Sequence, residues 1–292
     1  MMQRPSEHLE TSVHRAEAAG VSFFYRAAGD PGNPVILLLH GFPSSSHQFR
    51  ALMPRLADRY RVVAPDLPGF GFTDVPEGFV YSFERLAETI GAFCDALGLR
   101  RYALYLFDYG APVGFRLALQ RPDAIRAIVS QNGNAYEEGM SEGWAPTRAY
   151  WADPSPANRD AMRSMFTLET TRWQYTHGAP DGIQVAPEGY WLDAALLARP
   201  GQDSIQLDLI ADYARNVALY PRIHAYLRQR QPPLLAVWGA KDPFFLPAGA
   251  EAFRRDLPDA EVHLLDAGHF ALETHAGVIA EYMRGFLQRH LR

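Results

Sequence analysis

Short apolar runs alternate with amphipathic stretches through the first 130 residues, and this alternation constrains the fold most strongly. The runs predict strands buried on both faces, at Val35–Leu39, 62–64, Tyr102–Phe107 and 125–129. The stretches between them predict helices at 48–56, 83–97 and 111–119, and Pro122 stops the last of these. Alternating strands and helices form right-handed crossovers, so we expect an α/β fold with a mostly parallel sheet.

The alternation stops near residue 135 and resumes with an apolar run at 233–238, a strand at Glu261–Leu265 and a helix at Leu272–His290. The interval 135–228 contains four of the five tryptophans and seven of the fourteen tyrosines. Ligands bind at the carboxyl ends of parallel strands, so we predict a mostly helical cap at 135–228 that roofs a pocket. Residues 1–134 and 229–292 then form the core. The alternative is that the aromatic side chains only pack the cap onto the core.

Composition narrows the class of partner. The 292 residues are 48% hydrophobic and 21% charged, as in soluble globular proteins, and a net charge of -5 without a basic stripe argues against nucleic acid. The apolar runs are too short for a membrane span and residues 1–11 lack a signal-peptide core, so we expect a cytoplasmic protein without membrane contact. Cys94 is the only cysteine and no His-Glu-x-x-His helix is present. We therefore expect neither a metal nor a cofactor.

Polar residues follow several of the predicted strands, where chemistry belongs in such a fold. Residues 40–43 (His-Gly-Phe-Pro) follow the first apolar run, and residues 108–110 (Asp-Tyr-Gly) stand between a strand and a helix. Asp242 and His269 each follow a late strand. Taken singly, Asp108 is also suited to capping a helix, Asp242 to a turn before proline, and His269 to a loop. The ordered set of acid, acid and histidine favours catalysis.

On these residues the sequence resembles the α/β-hydrolase superfamily, specifically its epoxide hydrolase and haloalkane dehalogenase branch, over nearly the whole chain. The nucleophile turn of that superfamily usually reads Gly-x-Ser-x-Gly. Asp108 takes the serine position and Gly110 the second glycine position, whereas Leu106 departs from the pattern. The resemblance implies that Asp108 is the nucleophile, with Asp242 as the acid and His269 as the base. The backbone N–H groups of Phe42 and Tyr109 then form the oxyanion hole. 

A carboxylate nucleophile suits displacement at a saturated carbon, because it is already ionised and needs no base to activate it. Attack on an alkyl carbon leaves an ester on Asp108. His269, oriented by Asp242, would activate water to hydrolyse that ester. We therefore expect a small apolar electrophile and water as the substrates.

Two leaving groups fit this chemistry. The oxygen of an epoxide must be protonated, and related epoxide hydrolases do this with cap tyrosines. Residues 212–216 (Asp-Tyr-Ala-Arg-Asn) resemble the segment that carries such a tyrosine, which makes Tyr213 the best candidate for the acid. Tyr150 and Tyr175 are both candidates for its partner, and packing in the cap is an equally good interpretation of Tyr175.

A halide leaves as an anion and needs N–H donors. Related dehalogenases usually place tryptophan after the nucleophile, with asparagine or a second tryptophan beside it, but Tyr109 and Phe42 occupy the corresponding positions. Epoxide hydrolysis to a diol is therefore the first hypothesis. Dehalogenation remains the alternative, because Trp151 and Trp173 could supply a halide pocket from the cap. Fluoroacetate dehalogenation is disfavoured because no arginine lies directly after Asp108. A non-catalytic ligand-binding protein on the same fold is the second alternative.

Overall fold

An eight-stranded β-sheet lies at the centre of the structure, a computed structural model that describes residues 9–291. The strands are β1 (Ser12–Ala18), β2 (Val21–Ala28), β3 (Val35–Leu39), β4 (Arg61–Pro65), β5 (Tyr102–Phe107), β6 (Ile125–Gln131), β7 (Leu234–Gly239) and β8 (Glu261–Leu265). Across the sheet their order is β1-β2-β4-β3-β5-β6-β7-β8. Strands β3 to β8 pair in parallel, and β2 pairs antiparallel with β1 and β4. The predicted α/β fold with a mostly parallel sheet is confirmed.

Helices flank this sheet and fill the interval between β6 and β7. In the described part of the chain they are α1 (Phe83–Ala96), α2 (Gly110–Gln120), α3 (Ala145–Ala152), α4 (Pro156–Ala161), α5 (Leu168–Thr176), α6 (Pro187–Leu197), α7 (Gln202–Asp212), α8 (Ala214–Arg230), α9 (Pro247–Asp256) and α10 (Leu272–His290). Ser82 caps helix α1, and its hydroxyl accepts a hydrogen bond from the Arg85 N–H at 3.2 Å. A serine in this position satisfies one of the free N–H groups of the first turn.

Both faces of the sheet are buried. Along β3, Leu37 and Leu39 pack in a layer that includes side chains of α1, α2, α8 and α9, whereas Ile36 and Leu38 pack in a layer that includes α10. Successive side chains of a strand point to opposite faces, so a strand covered on both sides is apolar at every position. This is why the central strands appear in the sequence as continuous apolar runs.

Two local features differ from the sequence-based expectation. The predicted helix at 48–56 is wrong: the chain forms two short 3₁₀ helices, Ser46–Phe49 and Met53–Arg55. Pro54 lies inside this stretch and has no N–H to donate, so a continuous α-helix is interrupted there. Strands β1 and β2 were not predicted. They form a hairpin through Ala19 and Gly20, which both have positive φ, as a two-residue turn between antiparallel strands requires.

The predicted cap segment, residues 135–228, contains helices α3 to α7 and most of α8. Helix α7 packs against α3, and α5 packs against α6. Helix α8 also contacts α2 and α9, which lie against the sheet. The division into core and cap stays a prediction. Among the described residues, no helix has the length and apolar character needed to cross a membrane.

Candidate active site

Asp108 occupies a sharp turn between β5 and α2. Its φ of 46° is a left-handed conformation that residues other than glycine rarely adopt, and the residue is 7% exposed. The turn needs small neighbours. A Cβ on Gly110 would lie 2.2 Å from the Leu39 carbonyl oxygen, and a Cβ on Gly41 would lie 2.4 Å from the Asp108 side chain. The fold therefore holds one carboxylate at the carboxyl edge of the sheet.

One oxygen of this carboxylate already has a donor. The Phe42 N–H donates to Asp108 Oδ1 at 2.6 Å, and the Tyr109 N–H also interacts with this carboxylate. The loop that carries Phe42 is held by His40, whose Nε2 accepts from the Leu67 N–H at 2.9 Å and whose Nδ1 lies 3.1 Å from the Gly41 carbonyl oxygen. The two predicted oxyanion N–H groups thus converge on Asp108.

His269 and Asp242 meet beside the second carboxylate oxygen. His269 Nδ1 lies 2.7 Å from Asp242 Oδ2, while His269 Nε2 lies 4.0 Å from Asp108 Oδ2. Asp242 and His269 are almost fully buried. The structure therefore brings together the three side chains that sequence order singled out.

Further donors orient Asp242. Its Oδ1 accepts from the backbone N–H groups of Phe244 at 2.7 Å and Phe245 at 3.1 Å. Asn132 Nδ2 donates to Asp242 Oδ2 at 2.6 Å, and Asn132 Oδ1 accepts from the Gly239 N–H at 2.9 Å. Asn132 was not among the site residues predicted from the sequence. Its position in the sequence could have identified it, because it directly follows β6, the strand that lies between the two strands that precede Asp108 and Asp242.

Burial changes the acidity of these groups. Burial raises the pKa of Asp108 to about 6, although the neighbouring His269 charge and the backbone N–H groups oppose the rise. Burial acts to lower the pKa of His269, but the charge and hydrogen bond of Asp242 and the charge of Asp108 outweigh it, so this pKa is raised. Burial also holds the pKa of Tyr213 well above its ordinary value, so its hydroxyl stays protonated.

Asp108 and His269 open into an inner cavity of about 40 Å³. An outer cavity of about 480 Å³ adjoins it and shares the side chains of Trp144, Thr147, Met165, Gln174 and Phe244. Most of the surface of both cavities is apolar. The inner cavity has room for about one or two water-sized groups, so only a small part of a substrate fits next to Asp108.

The three tyrosines of the predicted cap segment lie in different surroundings. Tyr213 lines the inner cavity and packs edge-on against Phe83. The Tyr150 hydroxyl accepts a hydrogen bond from Arg159 at 2.9 Å, and the Tyr175 hydroxyl donates to Asp193 at 2.5 Å. Neither Tyr150 nor Tyr175 lines the inner or the outer cavity. Of the three, only Tyr213 lines the cavity that contains Asp108, where its hydroxyl interacts with that of Tyr220; the other two hydroxyls are bonded to Arg159 and Asp193 elsewhere in residues 135–228.

The two tryptophans considered for a halide pocket also lie away from Asp108. The Trp151 ring stacks behind Tyr213, with ring centroids 6.0 Å apart, and its Nε1 donates to the Ile210 carbonyl at 2.8 Å. Trp173 lines the outer cavity and is 43% exposed. Neither indole lines the inner cavity.

Residues 34–276 match the α/β hydrolase fold family, and the chain belongs to that family. It is 49% identical to the uncharacterized hydrolase YNR064C of Saccharomyces cerevisiae over 267 residues, 90% of this chain and 92% of that protein. It is 32% identical over 243 residues to haloalkane dehalogenase 2 of Mycobacterium tuberculosis (82% and 83% of the two chains). It is 26% identical over 296 residues to epoxide hydrolase 2 of Caenorhabditis elegans (96% and 81%). The chain is thus a hydrolase-family protein related to both branches that its motifs resemble.

Proposed function

We propose that the protein hydrolyses epoxides to diols through an ester on Asp108. The observation that carries this proposal is the asymmetric setting of one buried carboxylate. Asp108 Oδ1 is bonded to the Phe42 N–H, whereas Oδ2 faces His269 Nε2 across 4.0 Å beside an apolar cavity. One oxygen is thereby prepared to carry charge and the other to attack.

In the first step Asp108 Oδ2 attacks a ring carbon of the epoxide, and the bond between that carbon and the ring oxygen breaks. The electron pair stays on the ring oxygen, which takes the hydroxyl proton of Tyr213. Tyr213 suits this role because it lines the same cavity as Asp108 and is protonated over the whole physiological pH range. The products of this step are a hydroxyalkyl ester on Asp108 and a tyrosinate.

In the second step a water molecule attacks the carbonyl carbon of the ester, and His269 Nε2 takes one of its protons. The gap of 4.0 Å between Nε2 and Oδ2 is too long for a direct hydrogen bond and leaves a place for this water. The negative charge develops on Oδ1, where the N–H groups of Phe42 and Tyr109 stabilise it. The alkoxide then leaves with the proton from His269, and the second water proton, left on Asp108, restores Tyr213.

An epoxide fits the donors of the inner cavity better than a halide does. A departing halide needs N–H donors, usually two. The indole N–H of Trp151 is bonded to Ile210 and that of Trp144 to the Phe244 carbonyl at 3.1 Å, so the Gln174 amide is the one side-chain N–H donor that lines the inner cavity without an acceptor among the described residues. Tyr213 offers a hydroxyl proton, which an opening epoxide requires. The relatives do not decide between the two chemistries, because their names include both.

The sizes of the two cavities suggest the shape of the substrate. The inner cavity of about 40 Å³ accommodates little beyond the reacting carbons, whereas the outer cavity of about 480 Å³ has space for an apolar substituent. We therefore infer a terminal epoxide with one apolar or aromatic substituent. In this proposal residues 135–228 act as the cap that supplies Tyr213 and encloses the ester.

The test is intact-protein mass spectrometry of His269→Gln incubated separately with pooled terminal epoxides and pooled haloalkanes. Without the base the ester should accumulate. An adduct with the full mass of an epoxide, absent in the double variant with Asp108→Asn, supports the proposal. An alkyl adduct that lacks the halogen would instead make the protein a dehalogenase. No adduct from either pool would favour the non-catalytic alternative.

A further inference from the structure

Gln174 is a buried amide beside the reacting groups that the mechanism above does not use. It lies on α5, is 2% exposed, and lines the inner cavity together with Asp108, Tyr213 and His269. It also lines the outer cavity, so it lies where the two cavities meet. Within residues 9–291, its buried Nε2 has no hydrogen-bond acceptor.

The position of this amide in the cavity distinguishes it from the other unpartnered amides of the protein. Among the described residues, three buried side-chain amide nitrogens lack an acceptor, those of Gln48, Gln174 and Asn216, and of these only Gln174 lines the inner or the outer cavity. By contrast, the Nε2 of Gln206, which is also fully buried, donates to the Gly69 carbonyl at 3.1 Å. A buried donor without an acceptor destabilises a fold, so its retention calls for an explanation. The location of Gln174 in the cavity provides one, because a ligand there can accept the hydrogen bond.

We propose that Gln174 Nε2 donates a hydrogen bond to the ring oxygen of the epoxide as the ring opens, opposite the hydroxyl of Tyr213. This inference rests on the proposed function and completes it. Epoxide opening places negative charge on one oxygen, and two donors stabilise that charge better than one. Tyr150 and Tyr175 are the candidates that the sequence offers for this second donor, but their hydroxyls are bonded to Arg159 and Asp193, outside the cavity.

The two donors have different roles. An amide N–H is too weak an acid to give up its proton, so Gln174 stabilises the developing alkoxide while Tyr213 supplies the proton. In the ester that follows, the former ring oxygen is already a hydroxyl group and takes no part in the reaction with water. Gln174 therefore acts on ester formation and not on ester hydrolysis, and this difference separates its role from a general effect on packing.

The experiment measures both steps in Gln174→Met, which keeps the length of the side chain but has no N–H. In a His269→Gln background, we expect formation of the Asp108 ester with a terminal epoxide to slow by about 10²-fold, as for the loss of one oxyanion donor. With His269 intact, the decay of the ester after a single turnover should change by less than about threefold. Gln174→His, which restores an N–H, should recover most of the rate of ester formation. Gln206→Met is the matched control for the loss of a buried cap amide and should form the ester within about twofold of the parent rate.

Thermal unfolding supplies a second readout. Because Gln174→Met removes an unpartnered buried donor, we expect its melting temperature to equal or exceed that of the wild type, whereas Gln206→Met should melt lower. Ester formation at the parental rate in Gln174→Met would overturn the inference, as would equal slowing of both steps. Absence of any epoxide adduct in His269→Gln with Gln174 intact would instead overturn the proposed function itself.

Discussion

Replacing Asp108 by asparagine should make the protein more stable while abolishing activity. Burial raises the pKa of Asp108 from 3.8 to about 6, so the folded state carries an ionised group that it disfavours. One pKa unit corresponds to about 1.4 kcal/mol, so the penalty at neutral pH is about 3 kcal/mol. Asparagine resembles the protonated acid in shape, tolerates the positive φ at this position, and retains an oxygen for the Phe42 N–H.

The stability difference between Asp108→Asn and the wild type should depend on pH in one direction. Below pH 3.8 the acid is protonated in both the folded and the unfolded state and costs nothing. Between pH 3.8 and about 6 the folded state holds a proton on Asp108 that the unfolded state has lost, so the contribution of Asp108 to stability falls as the pH rises. The advantage of Asp108→Asn should therefore be near zero at pH 4, grow through this window, and level off at about 3 kcal/mol above it.

Urea unfolding followed by tryptophan fluorescence at several pH values measures this advantage. Asp259→Asn is the control, because Asp259 is exposed and the change in net charge is the same. A constant difference between Asp108→Asn and the wild type from pH 4 to pH 8 would refute the reasoning. So would a loss of stability in Asp108→Asn at pH 8.

Three further predictions concern the same site. The rate of ester formation should fall about tenfold per pH unit below about pH 6, where Asp108 is neutral. It should not decline up to about pH 10, because Tyr213 stays protonated. Quench-flow mass spectrometry measures this rate, and a rate that does not change with pH below about pH 6 would contradict the prediction. Asn132→Gly, which suits the φ of 49°, removes the donor to Asp242 and should lower the free energy of unfolding by about 1–3 kcal/mol and slow ester hydrolysis but not ester formation. Gly110→Ala places a Cβ against the Leu39 carbonyl and should lower stability by about 1–3 kcal/mol and reduce activity, and an unchanged urea midpoint would contradict that contact.

The central strands and the nucleophile turn were predictable because their physical causes are local in the sequence. A strand covered on both faces must be apolar at every position, and β3, β5 and β7 show this directly. Strand β1 is largely polar and mostly exposed at the edge of the sheet, so its sequence (Ser-Val-His-Arg-Ala-Glu-Ala) carries no such signal. Because parallel strands end at one edge, the residues after β5, β7 and β8 were bound to converge.

The part of the site formed by residues 135–228 was less predictable, since helices of low amphipathicity do not reveal which side chains face a cavity. Tyr213 was identified from a local resemblance, and it lines the inner cavity. Tyr175 and Gln174 are adjacent on α5, yet Tyr175 packs on Phe270 and only Gln174 lines the cavity. Side chains of consecutive helix residues point about 100° apart. Assigning the cavity-facing position one residue too late therefore selects a packing residue in place of the residue that lines the cavity.

The most direct test of the covalent mechanism is isotope incorporation into Asp108 itself. The wild-type protein would be allowed many turnovers of a terminal epoxide in H₂¹⁸O, digested, and the peptide that contains Asp108 analysed by tandem mass spectrometry. Because water attacks the carbonyl carbon of the ester, the account predicts ¹⁸O in the Asp108 carboxylate, and none there in His269→Gln or without substrate. Turnover that leaves the Asp108 oxygens unlabelled while the diol carries ¹⁸O would show that water attacks the epoxide directly, and would contradict the ester on Asp108.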